Sequence, residues 1–169
     1  MKSPFKTAGT KAVAATPKQS IPLRNFLKLD IPYWSTIGME VLDAIPGGAT
    51  VRVRYGRGLL NSNGVVHGGV VFSAADAAAA VALLGLLEDG ERIATTEMKI
   101  NFIKAVKARD VLAEAHILHR GSHTAVGDVT VRDSDGNLVA RALATYAIAK
   151  HARRKDPRSR RKGRGPVKK

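Results

Sequence analysis

The sequence predicts an α+β fold, in which an antiparallel sheet is wrapped around one long apolar helix. The segment 68–87 contains only two polar residues, Ser73 and Asp76, as expected for a helix that is covered on nearly every side. Six segments flanking it have the apolar–polar alternation or the bounding turn signals of β-strands. One such helix among six strands favours a helix layer packed on a single sheet.

The elements before the long helix follow from local signals. Residues 21–29 are expected to form a short helix that ends at the turn Asp30-Ile31-Pro32. Two strands are expected at 38–44 and 49–55, and Pro46-Gly47-Gly48 forms the hairpin turn between them.

The remaining elements are one helix and four strands. The long helix is predicted over about residues 70–88 and stops at Glu88-Asp89-Gly90. The predicted strands are approximately 92–102, 111–118, 124–133 and 138–149. Ser134-Asp135-Gly136-Asn137 is a hairpin signal between the last two strands.

Positive charge is concentrated at the two ends of the chain. The net charge is +14, with +4 in residues 1–20, +9 in residues 151–169 and only +1 in between. We expect a flexible N-terminal segment (1–20), a folded domain (21–150) and a disordered basic tail (151–169). The tail is either simply solvated or makes nonspecific polyanion contacts, and it lacks the interleaved aromatic residues that stack on bases.

Composition excludes several classes of protein. Cysteine is absent, which rules out disulfides, thiolate metal sites and a cysteine nucleophile. The N-terminus has no apolar signal-peptide region, and its cations are Lys rather than the Arg favoured in organelle transit peptides, so a cytoplasmic location is expected. We expect no membrane span at 68–87, because the segment is mostly Ala and Gly and a central Asp costs about 2.5–3.5 kcal/mol to insert.

Asp76 is the first candidate catalytic residue. A carboxylate within an otherwise apolar helix is costly to bury unless it has a partner or a chemical role. Burial also tunes carboxylates for acid–base chemistry. The alternative is a structural Asp that is held by backbone or serine hydrogen bonds.

The loop at 61–69, with the sequence NSNGVVHGG, favours the catalytic interpretation. Its glycines permit tight turns that lead into a helix N-terminus. Free N–H groups at such a terminus point at a ligand and favour negative charge, which suits an oxyanion site. Asn61 and His67 add side-chain donors, so the loop and Asp76 together indicate a hydrolytic site.

Spacing predicts that this site lies between two subunits. Gly68 and Asp76 are eight residues apart, which is roughly 12 Å along a helix that rises 1.5 Å per residue. One substrate carbonyl cannot contact both groups within the same chain. If both are catalytic, two copies of the chain must meet at this helix.

The stretch NSNGVVHGGVVFSAADAAAAVA resembles the signature of hotdog-fold acyl-CoA thioesterases of the phenylacetate-degradation (PaaI) type. The family pattern is an Asn, a Gly, an HGG triplet and an Asp nine residues after the His. Here these are Asn61, Gly64, His67-Gly68-Gly69 and Asp76. The resemblance covers about residues 36–149 and implies a hotdog fold.

The resemblance also implies roles for individual residues. Asp76 would act on the thioester carbonyl as a general base for water or as a nucleophile. Gly68 N–H and Asn61 of the other subunit would polarise that carbonyl, and His67 would support the loop or contact the thioester. A hydroxyl that places the water best matches Thr95. The expected substrate-binding residues are Gly69, Thr96, Arg120, Gly121, Ser122 and His123.

The implied activity is hydrolysis of acyl-CoA to free acid and coenzyme A, with no metal or organic cofactor. Gly121-Ser122-His123-Thr124 occupies the position where relatives contact the coenzyme A arm, and Arg120 or His123 would meet a phosphate. A plain strand-connecting turn is the alternative there. The implied assembly is a homodimer or a dimer of dimers, that is, a homotetramer.

Two further hypotheses come from other classes. One is a non-catalytic acyl-CoA-binding module whose basic tail engages nucleic acid. The other is a hotdog dehydratase or hydratase, for which no matching His and acid pattern is present. A metal site at His116 and His119 is not expected, because residues three apart on a strand face opposite sides of the sheet.

Overall fold

A computed structural model describes residues 20–150, so the two predicted basic end segments lie outside the described residues apart from Ser20. Three α-helices, α1 (Ile21–Phe26), α2 (Pro32–Ile37) and α3 (Gly68–Leu84), occur in this range, with a 3-10 turn at Arg57–Leu59. The strands are β1 (Met39–Ile45), β2 (Gly48–Val53), β3 (Glu91–Phe102), β4 (Val111–Arg120), β5 (Thr124–Asp133) and β6 (Leu138–Lys150).

The six strands form one antiparallel sheet in the order β1-β2-β4-β5-β6-β3. The helix α3 packs across one face of the sheet and contacts every strand. The predicted α+β architecture is therefore confirmed. The edge strands are β1 and β3, and β3 is bonded only to β6 among the described residues.

The helix α3 is set deep against the sheet because its side chains are small. Its ten buried residues are Val70, Val71, Ala74, Ala75, Ala77, Ala78, Ala79, Val81, Ala82 and Leu83. Phe72, Ser73, Asp76 and Ala80 form a narrow stripe that residues 20–150 leave partly uncovered. No helix within residues 20–150 is long and apolar enough to cross a membrane.

Two predicted helix boundaries were wrong. Pro32 does not end a helix; it begins α2, because proline's fixed φ and missing N–H suit the first helical turn. The helix α3 begins at Gly68, close to the predicted start at about residue 70, where the His67 side chain caps it by accepting a hydrogen bond from Gly69 N–H. It ends at Leu84 rather than near residue 88.

A β-bulge in β4 also corrects the expectation for two histidines. The register shifts between Ile117 and His119, so His116 pairs with Asp128 and His119 with Val126. Those two β5 residues are two positions apart, which places both histidines on the face directed away from α3. No group of three or more His, Asp or Glu side chains within residues 20–150 is arranged to hold a metal ion.

Gly85, which follows α3, provides a test of how tightly the β1–β2 hairpin docks on the helix. Gly47 N–H in the hairpin donates to Ala82 O at 3.2 Å, and a Cβ at Gly85 would lie 2.9 Å from Pro46 Cα. We therefore expect Gly85→Ala to force a backbone shift and lower the free energy of unfolding by about 1–3 kcal/mol, as measured by urea denaturation.

Gly58→Ala is the matched control, because a Cβ there would meet no atom within 4 Å. Equal stability of both variants and wild type would contradict the tight docking.

Candidate active site

Asp76 is held between α3 and the sheet by two hydroxyl groups. Its Oδ1 accepts a hydrogen bond from Thr95 Oγ1 at 2.9 Å and another from the Tyr146 hydroxyl at 2.8 Å. The Tyr146 hydroxyl lies equally close, at 2.8 Å, to the backbone oxygen of Asp76. Asp76 Oδ2 accepts no hydrogen bond from residues 20–150, and the residue is only half-buried. The carboxylate thus has one fixed oxygen and one oxygen available for a reactant.

Sheet register determines which hydroxyls reach the carboxylate. Thr95 and Tyr146 are cross-strand partners on β3 and β6, and cross-strand partners project to the same face. A β-bulge follows Thr95, and the next hydroxyl, that of Thr96, donates to Thr145 O at 3.0 Å instead. Of the two threonines considered from sequence, Thr95 is therefore the one in contact with Asp76.

Tyr146 was missed by sequence reasoning. Its side chain is 1% exposed, and burial together with the adjacent Asp76 charge raises its pKa well above the usual value. The hydroxyl therefore remains a proton donor. A signal did exist, because β6 carries alanine at three neighbouring inward positions (140, 142 and 144) and a tyrosine at the fourth.

The loop before α3 uses one side of the Asn61 amide and leaves the other free. Asn61 Oδ1 accepts hydrogen bonds from Asn63 N–H at 2.9 Å and Val65 N–H at 3.4 Å. Gly64 completes the turn at φ +70°, a conformation that side chains disfavour. Asn61 Nδ2 donates to no described residue, which leaves it as a donor for a ligand.

The start of α3 offers one free backbone donor. Gly69 N–H is taken by His67 Nδ1 at 2.9 Å, so neutral His67 carries its proton on Nε2. Gly68 N–H has no hydrogen-bond partner among residues 20–150. The edge of the Phe102 ring lies 3.5 Å from where a Cβ of Gly68 would stand, so this end of β3 lies beside the donor.

The donor and the carboxylate belong to one continuous helix. The eight-residue separation of Gly68 and Asp76 within α3 therefore corresponds to about 12 Å of rise. A single chain does not bring the two together on one carbonyl group, so the sharing of the site between two copies stays a prediction.

An open groove of about 550 Å³ lies beside the start of α3. Its lining is mainly apolar, and it also includes the side chains of His67, Tyr33 and Ser73. Ser73 Oγ donates to Gly69 O at 2.8 Å, so the Tyr33 hydroxyl, 2.7 Å away, donates its proton to Ser73. The groove is of the size of known small-molecule sites, roughly 300–1,000 Å³.

Among residues 120–123, the Arg120 side chain is bonded to other residues of the protein, whereas the turn that follows it is exposed. Arg120 Nη2 contacts Glu91 Oε2 at 2.5 Å and Nη1 donates to Gly121 O at 3.2 Å. Arg120 Nε is buried without a hydrogen-bond partner among the described residues. Ser122 and His123 are exposed and bonded to each other at 2.8 Å. His123 is thus open to a ligand, while Arg120 already has a carboxylate partner.

The Glu91 carboxylate depends on that arginine. Burial raises its pKa, but the hydrogen bonds from Glu88 N–H and Arg120 and the charges of Arg120 and Lys150 outweigh burial and hold the pKa below 4.5. The Glu91 side chain is 2% exposed. Arg120 therefore neutralises a buried charge next to the candidate coenzyme A turn.

Comparison with known proteins identifies the class to which this fold and site belong. Residues 63–140 match the family model of the Thioesterase superfamily. A Saccharolobus solfataricus protein provisionally named an esterase is 33% identical over 134 residues, covering 78% of this chain and 87% of that protein. The chain belongs to the thioesterase superfamily and has its hotdog fold.

Two further relatives agree with this assignment. The 1,4-dihydroxy-2-naphthoyl-CoA hydrolase of Listeria monocytogenes is 28% identical over 115 residues, covering 68% of this chain and 94% of that protein. The solved structure of the Escherichia coli PaaI protein from the phenylacetic acid degradation operon superimposes with a TM-score of 0.69 at 23% identity, covering 78% of this chain and 91% of that one. The latter likeness shows the hotdog fold.

The Arg120–Glu91 pair gives a testable pH dependence. We expect Arg120→Met to lower the free energy of unfolding at pH 7 by about 3–5 kcal/mol, because it leaves a buried carboxylate unpaired. A carboxyl group whose pKa is lowered by folding stabilises the fold above its unfolded pKa, and this stabilisation is lost as the pH falls through the folded pKa. The deficit should therefore shrink below about pH 4.5.

Urea denaturation at several pH values measures this deficit. Arg141→Met is the control, because it breaks an ion pair with Asp128 that is about half exposed and should cost under about 1 kcal/mol. A deficit for Arg120→Met that is equally small, or that does not change with pH, would contradict the buried pair.

Proposed function

We propose that this protein hydrolyses acyl-CoA thioesters to a free acid and coenzyme A. The observation that carries the proposal is the Asp76 carboxylate, which is fixed through Oδ1 and open at Oδ2. The catalytic groups we assign are Asp76, Thr95, His67, and the Gly68 N–H and Asn61 Nδ2 donors. Membership of the thioesterase superfamily supports the reaction class.

Two copies of the chain supply one site in this proposal. The outer edge of the 12-residue strand β3 is unpaired by residues 20–150, and such an edge is a template for a second chain. The adjoining Phe72 and Phe102 side chains are 39% and 55% exposed. Pairing β3 edge to edge would bury these aromatic rings and bring the loop of one copy toward Asp76 of the other, in a dimer or a dimer of dimers.

The reaction uses these groups in sequence. Asp76 Oδ2 takes a proton from water as the water oxygen bonds to the thioester carbon. The carbonyl oxygen takes up the displaced electron pair and is stabilised by Gly68 N–H and Asn61 Nδ2 of the second copy. The C–S bond then breaks, and the departing thiolate recovers the proton from Asp76. The alternative is direct attack by Asp76 Oδ2 on the thioester carbon, which breaks the C–S bond, expels the coenzyme A thiolate and forms an anhydride. Water then hydrolyses the anhydride to the free acid and the Asp76 carboxylate, and a proton of that water neutralises the thiolate.

The groove beside α3 is the proposed acyl site. It adjoins Gly69 and His67, next to the Gly68 donor at which the carbonyl would lie. Its volume of about 550 Å³ and its apolar lining fit an aromatic or a medium-length acyl group. The exposed turn at Gly121, Ser122 and His123 is the proposed contact for the coenzyme A arm, and the adjacent Arg120 supports this turn by donating to Gly121 O. Thr96 is assigned to substrate binding from the family resemblance alone.

Release of coenzyme A from phenylacetyl-, benzoyl- and medium-chain acyl-CoA tests this function. We expect turnover by wild type and a loss of roughly 100-fold or more in kcat for Asp76→Asn, because the base or nucleophile is removed. Asp128→Asn is the matched control, since this carboxylate pairs with Arg141 on the outer face of the sheet.

Binding of these thioesters without turnover by wild type would contradict the proposal. That result would instead favour the acyl-CoA-binding module.

A further inference from the structure

We propose that Tyr146 is a positioning residue, whose hydroxyl orients the Asp76 carboxylate so that Oδ2, and not Oδ1, meets the reactant. This inference rests on the proposed function. It concerns a residue on the last strand, far in sequence from both the loop and the helix of the site.

The geometry around Asp76 distinguishes its two carboxylate oxygens. Oδ1 is the only one of them with hydrogen-bond donors among residues 20–150, and the Tyr146 and Thr95 hydroxyls lie 2.8 and 2.9 Å from it. Two donors on the same oxygen prevent the carboxylate from exchanging its oxygens by rotation about the Cβ–Cγ bond without breaking both hydrogen bonds. The oxygen left unbonded then has a fixed direction.

Tyr146 is better suited than Thr95 to fix this direction. Its ring is buried, at 1% exposure, so the hydroxyl position is set by core packing rather than by a free rotamer. The same hydroxyl lies 2.8 Å from Asp76 O, so its single proton is shared between the backbone oxygen and the Oδ1 of one residue. Thr95, by contrast, lies on the partly exposed edge strand β3.

Tyr146 supplies orientation rather than a proton. Its side chain is 1% exposed, and burial together with the Asp76 charge raises its pKa, so the hydroxyl stays protonated and acts as a donor. Removing the hydroxyl should therefore loosen the orientation of the Asp76 carboxylate, because only Thr95 would still donate to Oδ1.

The test is Tyr146→Phe, which removes only the hydroxyl and keeps the buried ring. We expect kcat to fall roughly tenfold, the value of one lost hydrogen bond to a charged group, with KM changed by less than about twofold. Tyr55→Phe is the matched control, because the Tyr55 hydroxyl bonds to no described residue and does not approach Asp76.

Several outcomes would overturn the inference. A wild-type kcat in Tyr146→Phe would do so, and a lower Tm with unchanged kcat would indicate a purely structural role. A fall in kcat that is matched by an equally large rise in KM would also overturn it. Loss of activity in Asp76→Asn but not in Tyr146→Phe would reject this inference while leaving the thioesterase proposal intact. Absence of turnover by wild type would reject both together.

A second measurement covers the case in which Tyr146→Phe does not fold. The chain has three tyrosines, so in the double variant Tyr33→Phe/Tyr55→Phe 3-fluorotyrosine is incorporated at position 146 alone. If the hydroxyl of Tyr146 donates to Asp76 Oδ1, its ¹⁹F resonance should move when Asp76→Asn removes the carboxylate charge. An unmoved resonance would overturn the inference.

Discussion

The carboxylate of Asp76 is the group on which the rest of the site depends. An Asp on a helix set this deep against a sheet must be compensated, and the sheet supplies two hydroxyls from its last and first post-helix strands. Both hydroxyls donate to Oδ1, and Oδ2 accepts no hydrogen bond from residues 20–150. The same arrangement therefore explains how the charge is tolerated and why it is available for chemistry.

Small residues on α3 and the pairing of β3 with β6 position the Asp76 carboxylate and its two hydroxyl donors. Alanine along α3 lets the helix approach the sheet closely enough for Asp76 to reach β3 and β6. The register pairs Thr95 with Tyr146, and the bulge after Thr95 shifts the alternation before Met98 and Ile100 again pack against the core. Site geometry and the proposed dimer edge thus come from the same strand.

Sequence predicted the α+β architecture, because the apolar helix and the alternating strands are local patterns. It also selected the loop and Asp76 as a candidate site. It missed the start of α2 at Pro32, since one proline signals either a turn or a first helical turn. It placed His116 and His119 on opposite faces, because a bulge is invisible without the register. Tyr146 was missed because its contact with Asp76 depends on how α3 packs against β6, and that packing is not a local sequence pattern.

The most direct test of a site shared by two copies is subunit complementation. Asp76→Ala removes the carboxylate, and Asn61→Asp removes the Nδ2 donor while keeping the Oδ1 acceptor that the loop uses. Each variant alone should be nearly inactive. If loop and carboxylate come from different copies, a mixed dimer contains one intact site, and co-expressing the two variants should restore roughly a quarter of wild-type activity, given random pairing of copies. If each site is built from a single chain, every site carries one lesion, and activity in the mixture no higher than in the separate variants would contradict the account.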